Sequence, residues 1–135
     1  MTKDFTHEIK VYYEDTDSGG VVYYSNYLNF LERARTEMIN LLGLSNNKLL
    51  KDHKTLIIVK SCNIEYIKPA KLEDRLKIYS SIESFNKASF IMKQNVYNND
   101  DLISKAILKL VTVNIEGKPV KIPSVLENQF KSLLS

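Results

Sequence analysis

The chain has 135 residues and a mass of 15.6 kDa, a length for one domain over residues 1–135 whose core buries roughly 68–70% of the surface exposed by the unfolded form. Hydrophobic residues make up 44% and charged residues 26%, ordinary for a soluble globular protein, and no apolar run approaches the ~18–20 residues of a membrane span. The net charge of +3 comes from 19 Lys and Arg scattered among 16 acids, a pattern unlike a nucleic-acid footprint, and one that would assist a phosphate-bearing ligand without demanding it. A single cysteine, Cys62, excludes an intrachain disulfide, and His7 and His53 stand too far apart in sequence to suggest a metal site. The opening MTKDFTHEIK has no apolar region of the secretory kind, so a cytoplasmic location is expected.

Taken in order, His7 to Glu14 reads as a first strand, with Ile9, Val11 and Tyr13 alternating against Glu8, Lys10 and Tyr12. Asp15-Thr16-Asp17-Ser18-Gly19-Gly20 then interrupts the pattern with turn-forming residues. From Ser25 the period changes: Tyr27, Leu31, Ala34, Met38, Leu41 and Leu42 fall on one face of a helix, capped by Ser25 or Asn26 and ended by Gly43. Glu32, Arg33, Arg35 and Glu37 read as its solvated side, with Arg33 and Glu37 as an i,i+4 pair. Leu44 to His53 is a short helix or an irregular connection.

Four strands follow: Thr55 to Ile67; Leu76-Ile78-Ser80-Ile82 alternating with polar neighbours; Phe90-Met92-Gln94-Val96 likewise; and Leu102 to Ile115, with Ile103, Ile107, Val111, Val113 and Ile115 on one face. Pro69-Ala70-Lys71, Asn86-Lys87 and Asn98-Asn99-Asp100-Asp101 separate them, and such short turns predict antiparallel hairpins throughout. Glu116-Gly117-Lys118-Pro119 closes the last strand. Pro123 opens a C-terminal helix with Leu126, Phe130 and Leu133 on one side. Strand, helix, then four strands is an α+β order in which five twisted antiparallel strands curl around one long central helix, the hot-dog arrangement.

Asp15-Thr16-Asp17, Gly20-Val21-Val22-Tyr23, Asn26-Tyr27-Leu28, Glu32 through Glu37, Tyr66 through Ala70 and Ile122-Pro123 together resemble the 4-hydroxybenzoyl-CoA thioesterase family of hot-dog proteins, in particular its Tol-Pal-associated acyl-CoA thioesterase branch. The resemblance covers essentially the whole chain. It implies hydrolysis of an acyl-CoA thioester with no metal or redox cofactor, the second acid of the motif, Asp17, as the catalytic carboxylate, and the Tyr24 amide as donor to the thioester carbonyl. It also implies a homodimer or homotetramer with sites between subunits. That branch usually has histidine at the position of Tyr24. A main-chain donor survives the change, whereas any duty of an imidazole does not.

Chemistry alone runs the same way. A helix N-terminus offers unpaired amides and about half a positive charge to a developing oxyanion, and a neighbouring carboxylate can attack the carbonyl or draw a proton from water. Asp17 stands just before the helix, with Gly19 and Gly20 letting backbone approach the thioester. Asp15 is the more structural of the two aspartates and Glu14 a solvated strand end. Tyr23, Tyr24 and Tyr27 floor an acyl pocket or serve as ordinary core and interface aromatics. By family position Lys60 and Lys87 meet the coenzyme phosphates, with solvated lysines as the plainer reading of each, and Val59 and Ser61, flanking Lys60, line the thioester site. A thioesterase for acyl-carrier protein, and a module that binds acyl groups or a protein without turnover, are the competing readings.

Overall fold

A computed structural model describes residues 4–134. Strand β1 covers Phe5–Lys10, with Phe5, His7 and Ile9 turned inward and Thr6, Glu8 and Lys10 in solvent, the period-two pattern of a strand with one wet face. It stops short of the expected Glu14 because of its partner. β1 runs antiparallel to β3 (Arg75–Phe85) from Phe5 opposite Ser80 to Lys10 opposite Arg75, so past Lys10 no strand remains to pair with. The chain turns instead through a single 3-10 turn at Tyr13–Asp15, and Tyr13, expected inward, is 81% exposed.

Helix α1 spans Asn26–Leu41 and buries Tyr27, Phe30, Leu31, Ala34, Met38 and Ile39. Gly43, at φ 82°, follows its last turn, the left-handed position where helices commonly end. The spacing puts Leu41 and Leu42 on the apolar face, yet Leu41 is exposed and Leu42 half-buried, with Phe30 and Ile39 in their place. Apolar residues flank the stripe on both sides, so spacing alone does not select its edge. A second helix, α2 (Asn46–His53), is capped by Ser45, whose hydroxyl accepts the Lys48 N–H at 3.0 Å.

The remaining strands are β2 (Leu56–Tyr66), β4 (Ser89–Asn98) and β5 (Asp101–Val113), and the sheet order is β1-β3-β4-β5-β2. β3–β4 and β4–β5 are hairpins as expected. β2 and β3 are not: β2 pairs with β5 at the far edge, and the connection from Ile67 to Asp74 crosses the end of the sheet to reach β3. In β5 Ala106, Leu108, Leu110 and Thr112 are buried, while the face expected to hold Ile103, Ile107, Val111, Val113 and Ile115 is split: Ile103 and Val113 are buried, Val111 is half-buried and Ile107 and Ile115 are exposed. Apolar residues stand on both faces of β5, but Lys105 and Lys109 share the face of Ile107, and the register with β4 agrees: Leu108 stands opposite Met92 and Ala106 opposite Gln94, and partners in register share a face.

The inner face meets α1 in one core that includes Phe30, Leu31, Met38, Ile78, Ile82, Phe90, Met92 and Leu108. Each such large side chain contributes roughly 1.5–3 kcal/mol on burial. Helix α3 (Ser124–Leu134) closes one flank, its Phe130 ring 4.8 Å from that of Phe90. Among the described residues no helix is long and apolar enough to cross a membrane.

Candidate active site

Between β1 and α1 the chain folds back on itself. Thr16 and Val22 form an antiparallel bridge, the Asp17 N–H donates to the Val21 carbonyl at 2.9 Å, and the Gly20 N–H donates to the Asp17 carbonyl at 3.1 Å. The Asp17 side chain is exposed, and its Oδ1 accepts the Gly19 N–H at 2.8 Å, an Asx turn. A Cβ on Gly19 would stand 3.3 Å from that same oxygen, and Gly20 holds φ at 80°, so both glycines serve the turn that presents the carboxylate.

Asp15 anchors this loop. Its buried carboxylate accepts the Tyr12 N–H at 2.9 Å and the Asn26 Nδ2–H at 2.7 Å, and its carbonyl accepts the Tyr23 N–H at 3.1 Å. Entry, exit and the first residue of α1 are tied to one side chain and its backbone. A second tie comes from the strap between β2 and β3: the Ala70 carbonyl accepts the Val22 N–H at 2.8 Å, and the Leu72 N–H donates to the Gly20 carbonyl at 3.0 Å.

The helix start is only lightly capped. Ser25 occupies the N-cap position without a side-chain cap bond, and the Asn26 amide is engaged with Asp15. Asn26 N–H reaches the Tyr23 carbonyl and Tyr27 N–H the Tyr24 carbonyl, at 2.9 and 3.3 Å, whereas the Tyr24 N–H meets no acceptor among the described residues. Asp17 lies one residue to one side of the Thr16–Val22 bridge and Tyr24 two residues to the other, roughly 10 Å of extended backbone. A thioester group and the reach of the Asp17 side chain can fill that span.

Four tyrosines gather here. Tyr23 and Tyr24 are exposed, Tyr24 to 68%, with ring centroids 6.4 Å apart. Tyr27 is buried beneath them and its hydroxyl accepts the Ala70 N–H at 3.2 Å; burial pushes its phenol above the usual value, against the pull of the Ala70 bond. The fourth, Tyr66, packs its ring 5.0 Å from Tyr24 and 5.2 Å from Tyr27. The sequence places Tyr66 at the end of the strand from Thr55 to Ile67 and assigns it no role. Its position at the end of an apolar strand, before a proline, was the available signal; its contact with a residue 42 positions away was not.

A pocket of about 180 Å³ opens further along α1, lined in part by Glu32, Arg35, Met38, Val59, Phe90 and Met92. It begins about 9 Å along the helix from Asn26, at ~1.5 Å per residue. Val59 thus lines a pocket, one whose walls do not include Tyr23, Tyr24 or Tyr27. Arg35 was read as solvated but is half-buried: it sits three and four residues from Met38 and Leu31, on the flank of the buried stripe. Its Nη1 donates to Gln94 Oε1 at 3.2 Å, and burial lowers its pKa, opposed by Glu32 and Cys62. Arg33 and Glu37 are exposed and form no ion pair among the described residues. Burial raises the Cys62 thiol, against the pull of Arg35.

Lys60 and Ser61 are exposed on β2 at a bulge, where pairing with β5 steps from Val59 to Ser61. Lys87 occupies the β3–β4 hairpin, its carbonyl accepting the Ile122 N–H at 2.9 Å. That hairpin and the Asp17 loop stand at opposite ends of β3, ~35 Å apart for 11 residues. Asp17, Tyr23, Tyr24 and Tyr27 are therefore brought together, and Lys87 is not. Among the described residues no group of three or more His, Cys, Asp or Glu is disposed to hold a metal ion.

The model of the thioesterase-like superfamily matches residues 11–130, the span from the loop to the last helix. A Haemophilus influenzae protein named acyl-CoA thioesterase YbgC is 37% identical over 134 residues, covering 98% of each chain. An Escherichia coli acyl-CoA thioester hydrolase YbgC is 36% identical over 129 residues, 94% of this chain and 96% of that one. The crystal structure of a probable thioesterase from Bartonella henselae superposes with a TM-score of 0.87 at 30% identity, covering 90% of this chain and 100% of the other. A five-stranded sheet around one helix, a carboxylate-bearing loop at the start of that helix, and these full-length likenesses agree: the chain belongs to the thioesterase-like superfamily of hot-dog proteins.

Proposed function

We propose that the protein hydrolyses acyl-coenzyme A thioesters in the cytoplasm, with Asp17 as nucleophile or general base and the Tyr24 N–H as donor to the carbonyl oxygen. The observation that carries this reading is the Thr16–Val22 bridge, which holds an exposed carboxylate on one side and an unpaired amide of a helix start on the other. Charge developing on the thioester oxygen meets that amide and the positive end of α1. Either the Asp17 carboxylate attacks the carbonyl, expelling the coenzyme thiolate and leaving a mixed anhydride that water opens, or it takes a proton from the water that attacks. Thiolate leaves readily at neutral pH, so no general acid is required. The names carried by relatives at 36–37% identity support the substrate class.

Tyr23 and Tyr27 border the reacting group, Val59 and Ser61 line the acyl side, and Lys60 and Lys87 attract the coenzyme phosphates. Since Lys87 lies a strand length from Asp17 in one chain, it serves the Asp17 loop of a second copy, and a homodimer is the smallest complete unit, with a homotetramer as the next. β2 offers the longer free edge for such pairing.

The test is release of free thiol from short, long and aromatic acyl-CoA thioesters, corrected for Cys62, by the wild type and Asp17→Asn. The variant is expected to lose on the order of 10²–10⁴ in kcat, the worth of a positioned base, with its fold intact. Activity within a few-fold of wild type would remove Asp17 from the mechanism. A module that binds without turnover is the second reading, favoured by the placing of both histidines outside the loop, His7 in β1 and His53 in α2. No thiol release from any thioester would favour it, and faster release from acyl-carrier protein would move the substrate to that carrier.

A further inference from the structure

Resting on the hydrolytic reading above, we infer that Tyr66 is a positioning residue for the amide donor at the start of α1. Tyr66 ends β2, and its hydroxyl crosses to the loop and donates to the Tyr24 carbonyl at 3.1 Å. Among the described residues it is the only side chain that hydrogen-bonds to the backbone of Tyr23, Tyr24 or Ser25. The turn lacks the usual N-cap side-chain bond, and the other bond to the Tyr24 carbonyl, from Tyr27 N–H, is long at 3.3 Å. Without Tyr66 the peptide planes on either side of Tyr24 are held by local backbone contacts alone.

Two consequences follow for an amide that must meet a developing oxyanion. A donor on the Tyr24 carbonyl fixes the plane of the Tyr24–Ser25 peptide and, through the shared Cα, restrains the direction of the Tyr24 N–H. It also polarises the peptide it binds, which strengthens the Ser25 N–H as a donor. Oxyanion stabilisation depends on such dipoles being in place before charge appears. The Tyr66 ring is locked for this task by Tyr24 on one side and Tyr27 on the other, at centroid distances of 5.0 and 5.2 Å. Desolvation raises its phenol above the usual value, with Cys62 and Tyr24 adding to the effect.

Tyr66→Phe removes the hydroxyl and keeps the ring. Its kcat and KM are measured with the best thioester of the panel, beside wild type and Asp17→Asn, together with thermal unfolding and the amide proton shifts of Tyr24 and Ser25. The expected result is a kcat lower by about tenfold, less than the 10²–10³ of deleting an oxyanion donor. KM should stay within about twofold and the unfolding midpoint should be unchanged, with both amide shifts moved. A merely structural tyrosine would lower the midpoint and leave kcat alone. Wild-type kcat in Tyr66→Phe while Asp17→Asn is inactive would overturn the inference and leave the hydrolase standing. A raised KM at unchanged kcat would also overturn it, making Tyr66 a wall of the binding site. A wild type inactive on every thioester would sink the hydrolytic reading and this inference with it.

Discussion

Asp15 and Asp17 stand two residues apart in similar turn chemistry, and the fold separates their roles through burial. Asp15 is enclosed and accepts two hydrogen bonds through its carboxylate; Asp17 is exposed and accepts one, from Gly19. Hydrogen bonds to a charged group contribute about 1.5–3 kcal/mol each, and leaving the Tyr12 amide unpaired adds a desolvation cost. Asp15→Ala is therefore expected to lower stability by about 2–4 kcal/mol in urea denaturation and to slow thioester hydrolysis as the loop loosens; a midpoint equal to wild type would contradict the anchoring role. The sequence made this division readable, because the turn needs an acid at each position and only the one nearer the strand can reach back to it. Tyr66 was unreadable for the opposite reason: its partner Tyr24 is fixed by the crossing of two connections at the sheet end, a relation with no local signature.

At the level of elements, alternation succeeded where the outer face was mostly polar and failed where that face mixed lysines with apolar residues. Leu76, Ile78, Ser80 and Ile82 of β3 and Phe90, Met92, Gln94 and Val96 of β4 are all buried as their spacing predicts. In β5, Lys105 and Lys109 share the outer face with Ile107 and Val111, so apolar residues stand on both faces, and pairing of Ala106 and Leu108 with the buried Gln94 and Met92 of β4 marks the inner one. Gln94 is the polar member of the inner set, and its position carries a network. Its Nε2–H donates to the Leu31 carbonyl and to Ser80 Oγ at 3.0 and 2.9 Å, while its Oε1 accepts from Arg35 at 3.2 Å. Gln94→Leu would bury more apolar surface yet strand the Arg35 guanidinium and the Ser80 hydroxyl. Because a buried group without a partner costs about 1–3 kcal/mol, more when charged, the variant should be less stable than wild type by at least about 2 kcal/mol. Equal or greater stability in chemical denaturation would show that Arg35 finds another acceptor.

For the whole molecule, the sheet order leaves β1 and β2 as free edges, six and 11 residues long, and the longer one is the stronger invitation to a second copy. Sedimentation equilibrium at micromolar concentration is expected to give at least twice the 15.6 kDa of one chain; a single-chain mass throughout would leave the Asp17 loop without Lys87 and refute the shared site. By itself the sequence determined the α+β order, the central helix, the turn that presents Asp17 and the family, because periodicity, turn chemistry and motif spacing are local properties of a chain. Tertiary structure alone decided that β2 pairs with β5 rather than β3, that β1 ends at Lys10, which face of β5 turns inward, and that Tyr66 reaches the helix start. Each of these depends on which distant segment supplies the hydrogen-bonding partner, and an unpaired backbone or side chain acquires its geometry only when that partner is in place.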